Sequence, residues 1–210
     1  MKQTLVANDA AFKDIPSGKL GMWIFLIIDG LSFATILIGA SYLHANGAPW
    51  PHPGQVLNVP LTAVNTFILL ISSYTMMNAL EAVKEDDQKR FIKFLTITFL
   101  LGASFLAIQA FEYYGFISGT EEVRHRLAAA GMAGDYFRPN SGVYAGCFFG
   151  ATGFHGLHVL SGLIFILYAL IAGLKGRFNS QNYVRVEALT LFWHFVDLMW
   201  MLVFTVVYLL

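Results

Sequence analysis

The chain has 210 residues, of which 57% are hydrophobic and only 12% are charged, and its thirteen Lys and Arg residues balance its thirteen Asp and Glu residues. This composition excludes a disordered chain, which needs low hydrophobicity and high net charge, and a nucleic-acid binder built on a basic surface. It also leaves too few charges to cover a soluble globule. The single cysteine, Cys147, excludes an intrachain disulfide and a cysteine-based zinc site. The composition therefore indicates an integral membrane protein.

Five apolar stretches are long enough to cross a bilayer as α-helices, since a span needs about 20 apolar residues. β-Barrel strands would alternate polar and apolar residues, and these stretches do not alternate. The sequence therefore predicts an all-α membrane protein with one five-helix transmembrane domain over residues 20–210, preceded by an N-terminal segment over residues 1–19. The predicted spans cover residues 20–43, 61–80, 91–117, 143–174 and 186–210.

The charges of the loops orient these spans. Ten of the thirteen Lys and Arg residues fall in the N-terminal segment and in the loops after the second and fourth spans, and the other three are Arg124, Arg126 and Arg138. By the positive-inside rule, this distribution places the N-terminus in the cytoplasm and the C-terminus in the periplasm. In the longer outer loop, residues 121–130 are expected to form a short surface helix.

Ionisable side chains within a membrane span cost about 2.5–3.5 kcal/mol on insertion scales, so each one needs a structural or functional reason. In the fifth span, His194 and Asp197 lie three residues apart and therefore share a helix face near the middle of the bilayer. A hydrogen-bonded seam between helices would explain the pair, and a proton-carrying or cofactor role is the alternative. The ionisable residues within the spans are Asp29, Glu112, His155, His158, His194 and Asp197.

The fourth span combines a pair of histidines with a line of glycines at spacings of three and four. Small residues at that spacing let helix backbones approach closely. The pattern predicts a tight helix contact, with the histidines bonded to a neighbouring helix. The close-packing glycines are expected at Gly142, Gly146 and Gly150.

Haem ligation is an alternative use of these histidines. The helical rise places His155 about 19 Å from the outer start of the fourth span and His194 about 12 Å from the inner start of the fifth. The two rings can then lie at similar depth in a hydrocarbon core of about 30 Å. A stand-alone b-haem cytochrome with two histidine ligands is therefore a second hypothesis.

Four further residues have candidate roles. Asp29 lies about 13 Å into an otherwise apolar span and is the candidate proton-linked acid, with a satisfied packing group as the alternative. With Asp197 it leaves open a third hypothesis, a proton-coupled carrier. Glu112 lies near the outer boundary and is expected to bond a loop or a neighbouring helix. Lys175 and Arg177, at the inner end of the fourth span, are candidates for binding anionic lipid headgroups, with ordinary positive-inside charge as the alternative.

Three stretches of the sequence resemble subunit III of the haem–copper respiratory oxidases, and the resemblance extends over residues 20–210. It implies an all-helical protein that has no haem or copper of its own and docks on the catalytic subunit I, in a complex with subunit II. It also implies phospholipids bound in a cleft and support for proton entry. The three stretches are LGASFLAIQAFEYY at 101–114, SGVYAGCFFGATGFHGLHVLSG at 141–162 and FWHFVDLMWMLVFTVVYL at 192–209.

The five predicted spans resemble the short bacterial form of this family, which accompanies cytochrome c oxidases and quinol oxidases in the cell membrane. A related short subunit of nitric oxide reductases remains an alternative. The stretch QAFEYY at 109–114 favours the cytochrome c branch. In the family, the acid at the place of Asp29 is often Glu, and the motif positions mostly tie helices together. Those motif positions are Glu112, His155, His158, His194 and Asp197.

Overall fold

The computed structural model describes residues 17–132 and 134–210. In this part of the chain, five helices are long and apolar enough to cross a membrane, which confirms the predicted number of spans. They are α1 (Ser17–Ala45), α3 (Val59–Lys84), α4 (Gln88–Ser118), α6 (Val143–Leu174) and α7 (Val184–Phe204), and a π-helical turn at Thr205–Leu209 continues α7.

Two short helices lie in the loops. The helix α5 (Glu121–Ala129) confirms the surface helix expected from the sequence, whereas α2 (Pro53–Val56) was not predicted. Residues 1–16 of the predicted N-terminal segment lie outside the described residues. The side of the membrane on which each terminus lies stays a prediction.

The helix ends follow from local side-chain chemistry. The side chain of Asn58 accepts a hydrogen bond from the Leu61 N–H at 3.2 Å, which caps the start of α3. The side chain of Asp87 accepts one from the Arg90 N–H at 3.0 Å, which caps α4. At its other end, α4 stops at Gly119, whose φ of 65° lies in the left-handed region that glycine tolerates. These caps mark the start of α3 and both ends of α4.

Four of the spans form a closed ring in which α3 packs on α4, α4 on α6, α6 on α7, and α7 on α3. Successive spans cross in opposite directions, so neighbours in the ring are antiparallel, as in a four-helix bundle. The first span, α1, lies outside the ring against α7 and α6. Half of the apolar segment of α7 is buried (50%), but only 22% of that of α1. The ring therefore holds the core, and α1 is a peripheral helix.

One indole brings all four ring helices together. Trp193 of α7 is fully buried, and its Nε1–H donates to Ser72 Oγ of α3 at 3.0 Å. Its ring carbons lie 2.6 Å from the position that a Cβ would take on Gly102 of α4, and 2.9 Å from that position on Gly162 of α6. The indole therefore packs against α4 and α6 where these two glycines leave no side chain in its way.

The predicted contact at Gly142, Gly146 and Gly150 is wrong for the packing within this chain. A Cβ on Gly142 or Gly150 would meet no atom within 4 Å, and one on Gly146 would meet only the Pro139 carbonyl oxygen, at 3.5 Å. The three glycines are exposed, whereas the opposite face of α6 packs into the ring with large side chains such as Phe148. Their spacing selects one face of the helix but does not say whether that face points inward.

Candidate functional site

A carboxyl–imidazole pair joins α1 to α6 within the membrane. Both carboxyl oxygens of Asp29 lie 3.1 Å from His158 Nε2, and Oδ1 has the geometry of a hydrogen bond. His158 Nδ1 lies 2.7 Å from the carbonyl oxygen of Phe154. Because a carbonyl only accepts, Nδ1 carries a proton and donates it. The contact between Nε2 and Asp29 then holds one more proton, either on the carboxyl or on the ring, so the pair is a one-proton site.

Aromatic rings enclose this pair. The His158 ring lies 5.1 Å from the ring of Phe33 on α1 and 4.6 Å from that of Phe154 on α6, measured between centroids. The Asp29 and His158 side chains are only 11% and 14% exposed. The pair is therefore largely screened from the lipid. Its bonds through both ring nitrogens and Asp29 Oδ1 tie the peripheral helix to the ring.

A second polar cluster joins α3 to α7. Ser73 Oγ lies 2.8 Å from His194 Nδ1, and the Ser73 hydroxyl donates a hydrogen bond to Asp197 Oδ2. A hydroxyl has one proton, so while it donates to Asp197, His194 Nδ1–H must donate to Ser73 Oγ. A serine protease triad instead has histidine between serine and aspartate. This cluster can hold or pass a proton, but it does not place a base to activate Ser73 as a nucleophile.

Ser73 is a site residue that the sequence did not single out. It is one of two adjacent serines in an apolar helix, and nothing in its neighbourhood distinguishes it from Ser72. The spacing of His194 and Asp197 fixed the face of α7 that carries them, but the partner on α3 depends on how the two helices are rotated against each other.

His155 has an environment different from the one expected. Its ring is fully buried, and neither ring nitrogen has a hydrogen-bond partner among residues 17–132 and 134–210. The ring centroid lies 4.7 Å from that of Trp200 and 5.7 Å from that of Phe105. Trp200 is itself held by a hydrogen bond from its Nε1–H to Thr66 Oγ1, at 2.9 Å. The expectation that this histidine bonds a neighbouring helix is therefore wrong.

The same surroundings do not support the two-histidine haem site. His155 is enclosed by Trp200 and Phe105, whereas His194 bonds Ser73 on the outer seam between α3 and α7. The contacts of the two rings therefore lie at different places in the bundle, although the rings are at similar depth in the bilayer.

The C-terminal end of α4 carries a third group of polar side chains. Gln109 Nε2–H donates to the Thr152 carbonyl oxygen at 3.0 Å, and the Tyr113 hydroxyl lies 2.6 Å from Thr152 Oγ1, so both side chains tie α4 to α6. Glu112 faces the other way and lines a cavity of about 200 Å³ beneath α5, together with Arg126. Glu112 Oε1 is buried without a partner in the part of the chain that the structure describes.

The basic residues that follow the C-terminal end of α6 are accessible. Lys175 and Arg177 are both exposed in the loop that leads to α7. A cavity of about 220 Å³ lies between α1, α6 and α7 near the start of α7, with apolar walls that include Met22 and Phe165. Arg185 is the charged residue among those that line it.

Within the described ranges, no group of three or more His, Cys, Asp or Glu side chains is placed to hold a metal ion. The ionisable side chains of the spans lie at helix interfaces, and most of them bond a neighbouring helix. The fold and these clusters define a class of protein, an integral membrane protein with five helices whose internal polar residues link helices to one another.

The family follows from comparison of the sequence with known proteins. The family model described as cytochrome c oxidase subunit III matches residues 9–119 and 129–210. The chain belongs to the cytochrome c oxidase subunit III family, which confirms the resemblance found in the three sequence stretches.

Relatives come from two kinds of oxidase. The chain is 32% identical to the cytochrome c oxidase subunit 3 of Thermostichus vulcanus, over 99% of this chain and 94% of the relative. It is 34% identical to the cytochrome bo(3) ubiquinol oxidase subunit 3 of Pseudomonas aeruginosa, over 90% of this chain and 83% of the relative. It is 35% identical to the cytochrome c oxidase subunit 3 of Sus scrofa, over 90% of this chain and 68% of the relative.

Proposed function

We propose that this chain is the non-catalytic subunit III of a haem–copper terminal oxidase in a bacterial cell membrane. In this role it packs on subunit I, which holds the haems and copper, within a complex that includes subunit II, reduces O2 to water and pumps protons. The observation that carries the proposal is the pairing of intramembrane polar side chains across helix interfaces, as in Asp29–His158 and Ser73–Asp197. These side chains stabilise a scaffold and do not converge on an open reaction site.

Cytochrome c is the electron donor that we favour for the complex, because the stretch QAFEYY at 109–114 resembles the cytochrome c branch. Ubiquinol is the second candidate. Its support is the 34% identity to a ubiquinol oxidase subunit 3.

Support for proton uptake is the part of the role that we assign to Asp29. The acid shares one proton with His158 within the membrane, so the pair can hold a proton and pass it between carboxyl and ring. Exchange of that proton between carboxyl and ring needs no movement of either helix.

Phospholipid binding is the third part of the proposed role. The apolar walls of the 220 Å³ cavity fit an acyl chain, and Arg185 provides a cation at the cavity for a phosphate group. Lys175 and Arg177 lie on the loop between α6 and α7 and add positive charge to the same end of the protein.

A tagged form of the chain, purified from its membrane in mild detergent, tests the proposal. The expected preparation contains larger membrane subunits, shows haem absorption, and oxidises reduced cytochrome c faster than a quinol. The chain expressed without the other subunits is the control, and it should show no Soret band. A Soret band in the lone chain that disappears in His194→Ala would overturn the assignment as an accessory subunit.

A further inference from the structure

One strip of α7 lies open to the membrane between two flanking helices. On one side α1 packs on α7, where a Cβ on Gly30 would lie 3.6 Å from the Phe195 ring. On the other side α3 packs on α7 through Ser73 and His194. In the described part of the chain, α1 and α3 make no extensive contact with each other. Since Leu198 follows both Phe195 and His194 by about one turn, it lies between the two flanking helices, and it is 58% exposed.

The strip is apolar except at His194. Its exposed side chains include Met201 and Leu202, at 41% and 47%, in line with Leu198. His194 is half-buried at the edge, and its Nδ1 bonds Ser73. Its other ring nitrogen, Nε2, has no partner among the described residues and is not buried.

The hydrogen bonds among His194, Ser73 and Asp197 determine whether His194 Nε2 accepts or donates a hydrogen bond. With Asp197 ionised, Nδ1–H donates to Ser73, Ser73 donates to Asp197, and Nε2 is a bare acceptor. When Nε2 takes up one proton, Nδ1 can pass its proton to Ser73 while Ser73 passes its own to Asp197. The neutral carboxyl then donates to Ser73, Ser73 donates to Nδ1, and Nε2–H is a donor. A matching neighbour must therefore be able both to accept and to donate a hydrogen bond, as a hydroxyl or a carboxamide can.

Lipid does not meet this requirement at the depth of His194. The residue lies about 15 Å from the start of a span about 39 Å long. This depth is within the hydrocarbon region of the bilayer. Acyl chains have no hydrogen-bonding groups, and headgroups lie at the surfaces, so the polar atom would remain unpaired in lipid. The contrast with His158 is clear, because both of its ring nitrogens have partners within the chain.

We propose that this strip (His194, Leu198, Met201 and Leu202) is the docking surface for a transmembrane helix of another oxidase subunit. That helix brings a hydroxyl or carboxamide side chain to His194 Nε2 in the middle of the bilayer. The inference rests on the proposed function, which supplies the neighbouring subunit. It specifies which face of the five-helix fold the neighbour covers and which atom it recognises.

Photo-crosslinking in the assembled complex tests the surface. The photoreactive residue p-benzoylphenylalanine replaces Leu198, and in a matched control it replaces Leu100 of α4. The two side chains are 58% and 60% exposed, and they lie at similar depth, about 21 and 18 Å from the starts of their helices. The expected result is a crosslink from position 198 to a specific subunit, with a partner helix located by mass spectrometry. Labelling of lipid alone from position 198, or equal labelling of the same subunit from position 100, would overturn the proposal.

Substitution of His194 tests whether the neighbouring helix bonds His194 Nε2. His194→Phe should weaken retention of the chain in the complex about three- to thirtyfold, the effect of one hydrogen bond within a membrane, and His194→Gln should restore most of it. Ser73→Ala is the control, because it removes the internal bonds of the cluster but leaves the ring at the surface. Release by Ser73→Ala as strong as that by His194→Phe would place the effect inside the chain and overturn the proposal.

The two proposals fail in different ways. A chain that purifies with no other oxidase subunit contradicts the proposed function itself. A chain that purifies with the oxidase but crosslinks only to lipid from position 198 contradicts the docking surface alone.

Discussion

The packing around Trp193 makes Gly102→Ala the most informative single substitution. The added methyl group would lie 2.6 and 2.9 Å from two ring carbons of Trp193 and 2.9 Å from Leu163 Cδ2. The ring has no room to move away, because it also packs against Gly162 and its Nε1–H is held by Ser72. The substitution should therefore push α4 away from α7 or break the bond between the indole and Ser72.

The expected cost can be worked out from two opposing contributions. Overpacking of a tight core costs about 1–3 kcal/mol, and a lost hydrogen bond within a membrane bundle adds about 0.6 kcal/mol. Replacing glycine by alanine within a helix returns about 0.5–1 kcal/mol. The net destabilisation should be about 1–3 kcal/mol. Gly150→Ala is the control, because its methyl group meets no atom within 4 Å, and it should be neutral or slightly stabilising.

Reversible unfolding of the purified chain in mixed micelles, with increasing sodium dodecyl sulfate, measures the difference. Near-ultraviolet circular dichroism reports the packing of the indoles directly. Trp193→Phe in the Gly102→Ala background should recover part of the loss, because the smaller ring leaves space for the methyl group. If Gly102→Ala were as stable as Gly150→Ala, or if Trp193→Phe cost the same free energy in both backgrounds, the indole would not be confined as argued.

Three further predictions concern charge and surface. Asp29→Asn keeps the shape of the side chain but removes its titrating proton, so oxidase turnover should slow at high pH with assembly unchanged; equal turnover across the pH range would make Asp29 structural. Gly146→Leu places a large side chain on the exposed face of α6 and should release the chain from the complex; normal co-purification would show that this face is free. Hydrogen bonds from Ser180 hold the pKa of Asp86 below its ordinary 3.8, so the stability that Asp86 contributes is present at neutral pH and lost as the pH falls below about 3.8. The gap in thermal midpoint between the wild type and Asp86→Asn should therefore shrink in acid, and a gap independent of pH would contradict this reading.

The spans were predictable because composition and length decide them. A run of about 20 apolar residues has one stable form in a bilayer, so hydropathy gave all five helices within a few residues of their observed ends. The face of α7 that carries His194 and Asp197 also followed from their spacing. The short helix α2 did not, because its four residues, which begin with Pro53 and Gly54, are too few to carry a periodic signal.

What the sequence could not supply is the rotation of each helix about its own axis. Depth along an axis follows from the rise per residue, and it placed His155 and His194 at one level. The direction in which a side chain leaves its helix depends on packing against helices that are distant in the sequence. In this fold the His155 ring packs on Trp200 and the His194 ring bonds Ser73. The same limit explains the exposed Gly150, which has the spacing of a contact residue and none of its neighbours.

The position of α1 explains why ionisable residues occur in a helix that buries so little of its surface. Lipid tails are as apolar as the helix surfaces, so burial of apolar surface between helices gives no hydrophobic free energy. Helix association in lipid therefore depends on close packing and on polar bonds. The ring helices have close packing around Trp193, but α1 lies outside the ring with 22% of its apolar segment buried.

Two polar contacts at different depths hold α1 instead. Asp29 contacts His158 within the membrane, and near the start of α1 Lys19 Nζ forms an ion pair with Glu187 Oε1 at 2.9 Å. Because a partly exposed ion pair at the end of a helix contributes little, we expect the intramembrane pair to provide most of the polar attachment. The residue proposed to take up a proton is thus the same one that fixes its helix, which is why the isosteric Asp29→Asn, and not an alanine substitution, separates the two roles.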